Sequence, residues 1–93
     1  MTSNKSRLEI EYCTQCRWML RAAWVAQELL TTFQMEIGEI ALIPSKGGIF
    51  EVRANNQKVW SLKGDGRFPE PKELKQRVRD VVAPGKSLGH ADR

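Results

Sequence analysis

Long hydrophobic runs are missing from this chain of 93 residues. No apolar stretch approaches the roughly 20 residues a membrane helix needs. The start, "MTSNKS" followed by "RLEIEY", offers no apolar core for a signal peptide. The chain is therefore expected to stay in the cytoplasm, where thiols are kept reduced. There is one histidine, His90, and only two cysteines, Cys13 and Cys16, two residues apart. So small a loop cannot staple a domain. No repeat, linker or second composition breaks the chain, which predicts one domain over 1–93, ordered from about 7 to 83, with 84–93 as a frayed tail. A formal charge of +4 and a pI near 9.4 permit weak attraction to polyanions. No basic run is interleaved with aromatics, however, and "KELKQRVRD" reads as the solvated face of a helix. Neither nucleic acid nor a membrane is an expected partner.

What is present falls into two periods. Leu8, Ile10 and Tyr12 alternate with Glu9 and Glu11, which predicts a strand near 7–12 with one buried face. From Thr14 to Phe33 the spacing turns helical. Trp18, Ala22, Val25, Leu29 and Phe33 share a stripe that Met19, Ala23, Ala26 and Leu30 widen, opposite Arg17, Arg21, Glu28 and Thr32. "EIALIP", apolar on both sides, suits a central or well-covered strand near 39–44. "IFEVRA" and "KVWSL" predict strands near 48–54 and 58–62, joined by a tight turn at "NNQ" because Asn tolerates positive φ. In "KGDGRFPEP", Gly64 and Gly66 are read as supplying positive φ, and Pro69 or Pro71 as opening a last helix near 70–83. Leu74, Val78, Val81 and Val82 form its stripe. The order β-α-β-β-β-α predicts a two-layer α/β sandwich with a parallel pair and an appended hairpin.

Cys13 and Cys16 fall where the first strand hands over to the first helix. A thiolate at a helix N-terminus meets free N–H groups, and Arg17 and Arg21 add positive charge nearby. Cys-x-x-Cys beside a β-α-β pattern is the expected signature of a redox dithiol. Metal is the rival. Tetrahedral zinc wants four ligands, against two thiols and the His90 of the tail. Two-coordinate copper(I) needs only the thiols. Small copper chaperones, however, run β-α-β-β-α-β and carry Met two residues before the first cysteine, where this chain has Glu11.

Three blocks, "YCTQCRW", "GGIFEVRANNQKVWS" and "KGDGRFPEPKEL", in this order over about residues 7 to 83, make the sequence resemble the selenoprotein W, T and H family, also called Rdx. The resemblance implies a thioredoxin-like fold with a mixed four-stranded sheet. It also implies a cytosolic thiol–disulfide oxidoreductase acting on protein disulfides or glutathione, with no resident cofactor and glutathione at most a co-substrate. It places the first strand between the second and third, although "SKGG" by itself suggests sequential neighbours. Selenoprotein W members carry selenocysteine at the position of Cys16, so this chain resembles an all-cysteine branch. The attacking sulfur then has two candidates: the selenoprotein pattern favours Cys16 and thioredoxin logic favours Cys13. Cys13 is the one expected to attack, because it should start the helix, face solvent and meet the fixed backbone N–H groups most directly. Ser45, Gly47, Gly48 and Phe68 are candidates for the substrate face, with Phe68 either covering the dithiol or anchoring its loop. Trp18, Trp24 and Trp60 are read as core or rim. The second function class is a redox-gated interaction module, in which the dithiol only controls binding.

Overall fold

The computed structural model describes residues 5–89. The polar start, residues 1–4, and residues 90–93 with His90 lie outside them. The elements are β1 (Ser6–Cys13), α1 (Met19–Thr32), β2 (Ile37–Ser45), β3 (Phe50–Ala54), β4 (Gln57–Ser61), α2 (Leu62–Asp65) and α3 (Pro71–Val82). The four strands form one mixed sheet in the order β2-β1-β3-β4. β1 runs parallel to β2 and antiparallel to β3, and β3 and β4 make the hairpin. The first strand thus lies between the second and third, as the resemblance implied and the "SKGG" turn did not.

Strand alternation builds the core. Leu8, Ile10 and Tyr12 stand opposite Ala54, Val52 and Phe50, and all six are buried on the face that the helices cover. From α1, Ala22, Val25, Ala26, Leu29 and Phe33 close over them, and α3 adds Leu74 and Val78. Trp60 on β4 is 1% exposed. Its indole N–H donates to the Arg67 carbonyl at 2.9 Å, so the ring is buried without orphaning its donor. Lys75 and Glu28, 3.0 Å apart, tie α3 to α1. Asn55 and Asn56, at φ 51° and 68°, make the hairpin turn as expected.

Four expectations need correcting. The first helix does not start at Thr14. Residues 14–17 form a turn, Arg17 sits at φ 60°, and helical geometry begins only at Met19. β2 is an edge strand, not a central one: Ile40 and Leu42 face the helix layer beside Leu8 and Ile10, whereas Ala41 and Ile43 lie on the other face. Met19 and Leu30 do not widen the buried stripe of α1, being 51% and 40% exposed. Gly64 is helical; Gly66 alone of the pair has positive φ, 75°, and ends the unexpected short helix α2. That helix is fixed reciprocally, since Ser61 Oγ accepts from the Gly64 N–H while Asp65 Oδ2 accepts from the Ser61 N–H.

The second face of the sheet carries charge instead of helices. Arg53 is central there, 2.9 Å from Glu9, 3.2 Å from Glu11 and 2.7 Å from Glu51. Arg7 binds Glu9 and Glu39, and Lys58 approaches Glu51. Burial opposes the charge of Arg53, but the hydrogen bonds it donates to Glu51, Glu9 and Glu11 outweigh it and raise its pKa. Beyond α3, the segment 84–89, read as the start of the tail, is held at two points. Lys86 pairs with Glu36 at 3.0 Å, and Leu88 packs against the core.

Candidate active site: the Cys13–Cys16 dithiol

Cys13 is the last residue of β1, and its backbone is fixed from both neighbouring strands. Its N–H donates to the Ile49 carbonyl at 2.8 Å, and the next N–H, of Thr14, donates to the Ser45 carbonyl of β2 at 3.0 Å. The Thr14 hydroxyl reaches the same Ser45 carbonyl at 3.0 Å. The chain then turns back, with the Arg17 N–H on the Thr14 carbonyl at 2.9 Å, and enters α1 through Trp18. This turn brings Cys16 Sγ to 2.6 Å from Cys13 Sγ. A disulfide measures about 2.05 Å between sulfurs, so joining them takes little movement.

The two thiols are unlike. Cys13 is 1% exposed, whereas Cys16 stands in solvent. The expectation that Cys13 would be the solvent-facing sulfur at a helix start is therefore wrong in both parts. It belongs to a strand end, six residues before α1 begins. The Cys16 thiol donates to Cys13 Sγ, and this bond is the main reason Cys13 lies below the ordinary thiol range; burial opposes it, and backbone N–H groups of Gly48, Cys16 and Gln15 assist. The same bond, with burial, pushes Cys16 up. The pair thus favours one shared negative charge centred on Cys13, stabilised by amides of the turn and of the Gly47–Gly48 loop.

The remaining candidates sort themselves around this pair. Gly47 and Gly48 have φ of 80° and 74°, which lets the loop present the Gly48 N–H to both sulfurs; the sequence flagged them only as a substrate face. Ser45 is directly opposite Cys13 in the β1–β2 register. Phe68 is a loop anchor: its ring meets Trp18 edge-on at 4.9 Å and Phe50 at 5.3 Å. The Arg21 guanidinium stacks on Phe68 at 3.9 Å. Neither Arg21 nor Arg17 is a main source of the thiol shifts, which come from the partner sulfur and backbone amides. Trp60 is core, Trp18 is half-buried in the ring cluster, and Trp24 is 46% exposed. Glu11, at the position where copper chaperones carry Met, binds Arg53 on the open face. Among the described residues, no three His, Cys, Asp or Glu side chains are placed to share a metal ion.

A family model described as the Rdx family matches residues 7–80. The chain belongs to the Rdx family. The crystal structure of a selenoprotein W-related protein from Vibrio cholerae is similar at 56% identity and a TM-score of 0.83, over 85% of this chain and 99% of that one. A crystal structure of a Bordetella parapertussis protein is 56% identical with a TM-score of 0.80, over 82% and 96%. No curated protein sequence matches the chain. The thioredoxin-like fold implied by the sequence is thus the fold of this Rdx protein, with the Cys-x-x-Cys at the end of its first strand. No helix among its described residues is long and apolar enough to cross a membrane.

Proposed function

We propose that this Rdx protein is a thiol–disulfide oxidoreductase in which Cys16 attacks and Cys13 resolves. The observation that carries the reading is the 2.6 Å contact between an exposed thiol that donates and a buried sulfur that accepts, a bond that lowers the pKa of the buried one. Attack on a disulfide requires access along the S–S axis, and only Cys16 has it. As Cys16 Sγ bonds to a substrate sulfur, its proton passes to Cys13 Sγ, and the first substrate thiolate leaves. Cys13, deprotonated again, then attacks Cys16 Sγ and expels the second. One disulfide is reduced and the dithiol is oxidised to Cys13–Cys16 as two electrons pass. The one proton the pair holds leaves with the first product, and the second leaves as a thiolate that takes its proton from water. An external thiol of the glutathione or thioredoxin class returns the two electrons, and a reducing compartment such as the cytoplasm fits that cycle.

Single variants test the assignment. Reduced Cys13→Ser, mixed with a glutathione-type disulfide near neutral pH, should trap a stable mixed disulfide at Cys16 by mass spectrometry. Trapping only in Cys16→Ser would reverse the roles. Reaction of both at the pace of an ordinary exposed thiol would end the oxidoreductase reading.

The interaction-module reading has one observation of its own. Met19 and Leu20, 51% and 81% exposed, begin α1 three and four residues after Cys16. An apolar step beside the dithiol suits a protein partner that binds one redox state. Stoichiometric oxidation without turnover in the presence of glutathione or a thioredoxin reductase system would favour it.

A further inference from the structure

The end of the sheet that holds the dithiol carries cations without carboxylate partners. Arg17 lies in the turn itself, Lys46 in the loop after β2, and Lys63 on α2; all three are exposed, and none forms an ion pair among the described residues. The acids nearby are already committed: Glu11 and Glu51 to Arg53, and Asp65 to Arg77 at 3.0 Å. Two recesses open on either side of the Gly47–Gly48 turn. One, of ≈ 430 Å³, is lined by Thr14, Gln15, Pro44, Ser45 and Lys46. The other, of ≈ 240 Å³, is lined by Gly47, Gly48, Phe50, Glu51, Lys58 and Lys63, with its Glu51 paired to Arg53 and Lys58, so that Lys63 is the cation it leaves open. The turn between them presents the Gly48 N–H to both sulfurs. A disulfide approaching Cys16 has two arms, and each recess offers one of them a lysine.

Resting on the dithiol reading above, we propose that Lys46 and Lys63, with Arg17 in the turn next to Cys16, select disulfides whose arms end in carboxylates. Charges at contact in high dielectric are worth little singly. Two arms meeting two lysines add, and they also steer the encounter. The oxidant is the carboxylated disulfide itself, reduced to two carboxylated thiols as the Cys13–Cys16 bond forms.

The test uses the reduced full chain and three disulfides of similar size: dianionic 3,3′-dithiodipropionate, neutral bis(2-hydroxyethyl) disulfide and dicationic cystamine. Each exchange rate is divided by that of dithiothreitol with the same disulfide, which removes intrinsic reactivity. The expected order is dianion, neutral, dication, with a spread of about tenfold at low salt that shrinks to about twofold near 1 M, where the Debye length is about 3 Å. Lys46→Glu combined with Lys63→Glu, both at exposed positions, should reverse the order. Equal normalised rates in the wild type, or an order unchanged in the double variant, would overturn the selection while leaving the dithiol chemistry standing. Failure to exchange even the neutral disulfide would remove the dithiol reading, and the selection with it.

Discussion

Cys16 Sγ donates to Cys13 Sγ across 2.6 Å, and only the donor of that pair faces solvent. Access and acidity are thereby divided between two sulfurs instead of combined in one. A limiting amount of iodoacetamide added to the reduced protein should consequently modify Cys16 first, read by peptide mass spectrometry. Preferential labelling of Cys13 would mean that its sulfur is reached by a route other than the turn.

The thiolate absorbance near 240 nm should rise in two steps, one on each side of the ordinary thiol value of about 8.5. The lower belongs chiefly to Cys13, held down by the Cys16 thiol and backbone amides, and the upper chiefly to Cys16. In Cys13→Ser the upper step should fall back toward 8.5, because the acceptor that keeps the Cys16 proton has lost its charge. Stability follows from the same shifts. Cys13, with its folded value lowered, adds stability above the unfolded thiol pKa that is lost as pH falls through the folded one. Cys16, with its folded value raised, adds stability below the unfolded pKa that is lost as pH rises through the folded one. The reduced protein should therefore be most stable near pH 8 to 9 relative to the Cys13→Ser, Cys16→Ser variant. A flat difference across that range would mean the sulfurs do not share a proton.

Oxidation should alter overall stability only modestly. The Cys13–Cys16 loop spans four residues, for which chain entropy gives about 2 kcal/mol at most. Urea midpoints of reduced and oxidised forms, compared at equal m-value, check this. A difference of several kcal/mol would make the bond structural.

Arg53→Met should lower stability by about 1–3 kcal/mol at neutral pH, since it leaves Glu9, Glu11 and Glu51 facing one another on a partly covered surface. Glu9, held below the usual carboxylate range by Arg7 first and Arg53 second, should titrate higher in the variant. The deficit should thus shrink as pH falls toward 4, where Glu9 takes up its proton in the variant first. Thermal melts from pH 7 to pH 4 report the crossover.

Phe68→Ala should cost about 1–3 kcal/mol, because a half-buried ring holding two edge-on partners and an arginine is lost. Phe68→Leu should recover most of the area burial but not the ring contacts. Chemical denaturation of both variants separates the two contributions.

The pattern of the core was legible because it rests on periodicity: Leu8, Ile10 and Tyr12 in a strand, Ala22, Val25, Leu29 and Phe33 on a helix, Asn55–Asn56 at a turn. What the residues concealed depended on tertiary placement. "EIALIP" is apolar on both faces, yet β2 lies at an edge, and only strand order decides that. The helical spacing extends back to Thr14, but a left-handed Arg17 interrupts it, and no residue at 14–17 announces such a turn. The cysteines themselves were evident. Their unequal exposure was not, because it comes from strand pairing with Ile49 and Ser45, residues more than 30 positions away. The Gly48 amide escaped for a related reason: a backbone donor has no letter in the sequence, and only the glycine pair hinted that the loop could aim one.

The clamping of Cys13 and Thr14 between Ile49 and Ser45 has a consequence for signalling. With the backbone pinned on two sides, making or breaking the sulfur bond is a matter of side-chain rotation over a few tenths of an ångström. Little mechanical displacement is available to carry news of the redox state to the far end of the sheet or to α3. A protein that senses whether this molecule is oxidised must therefore read it by touch, at the turn of residues 14–17 itself.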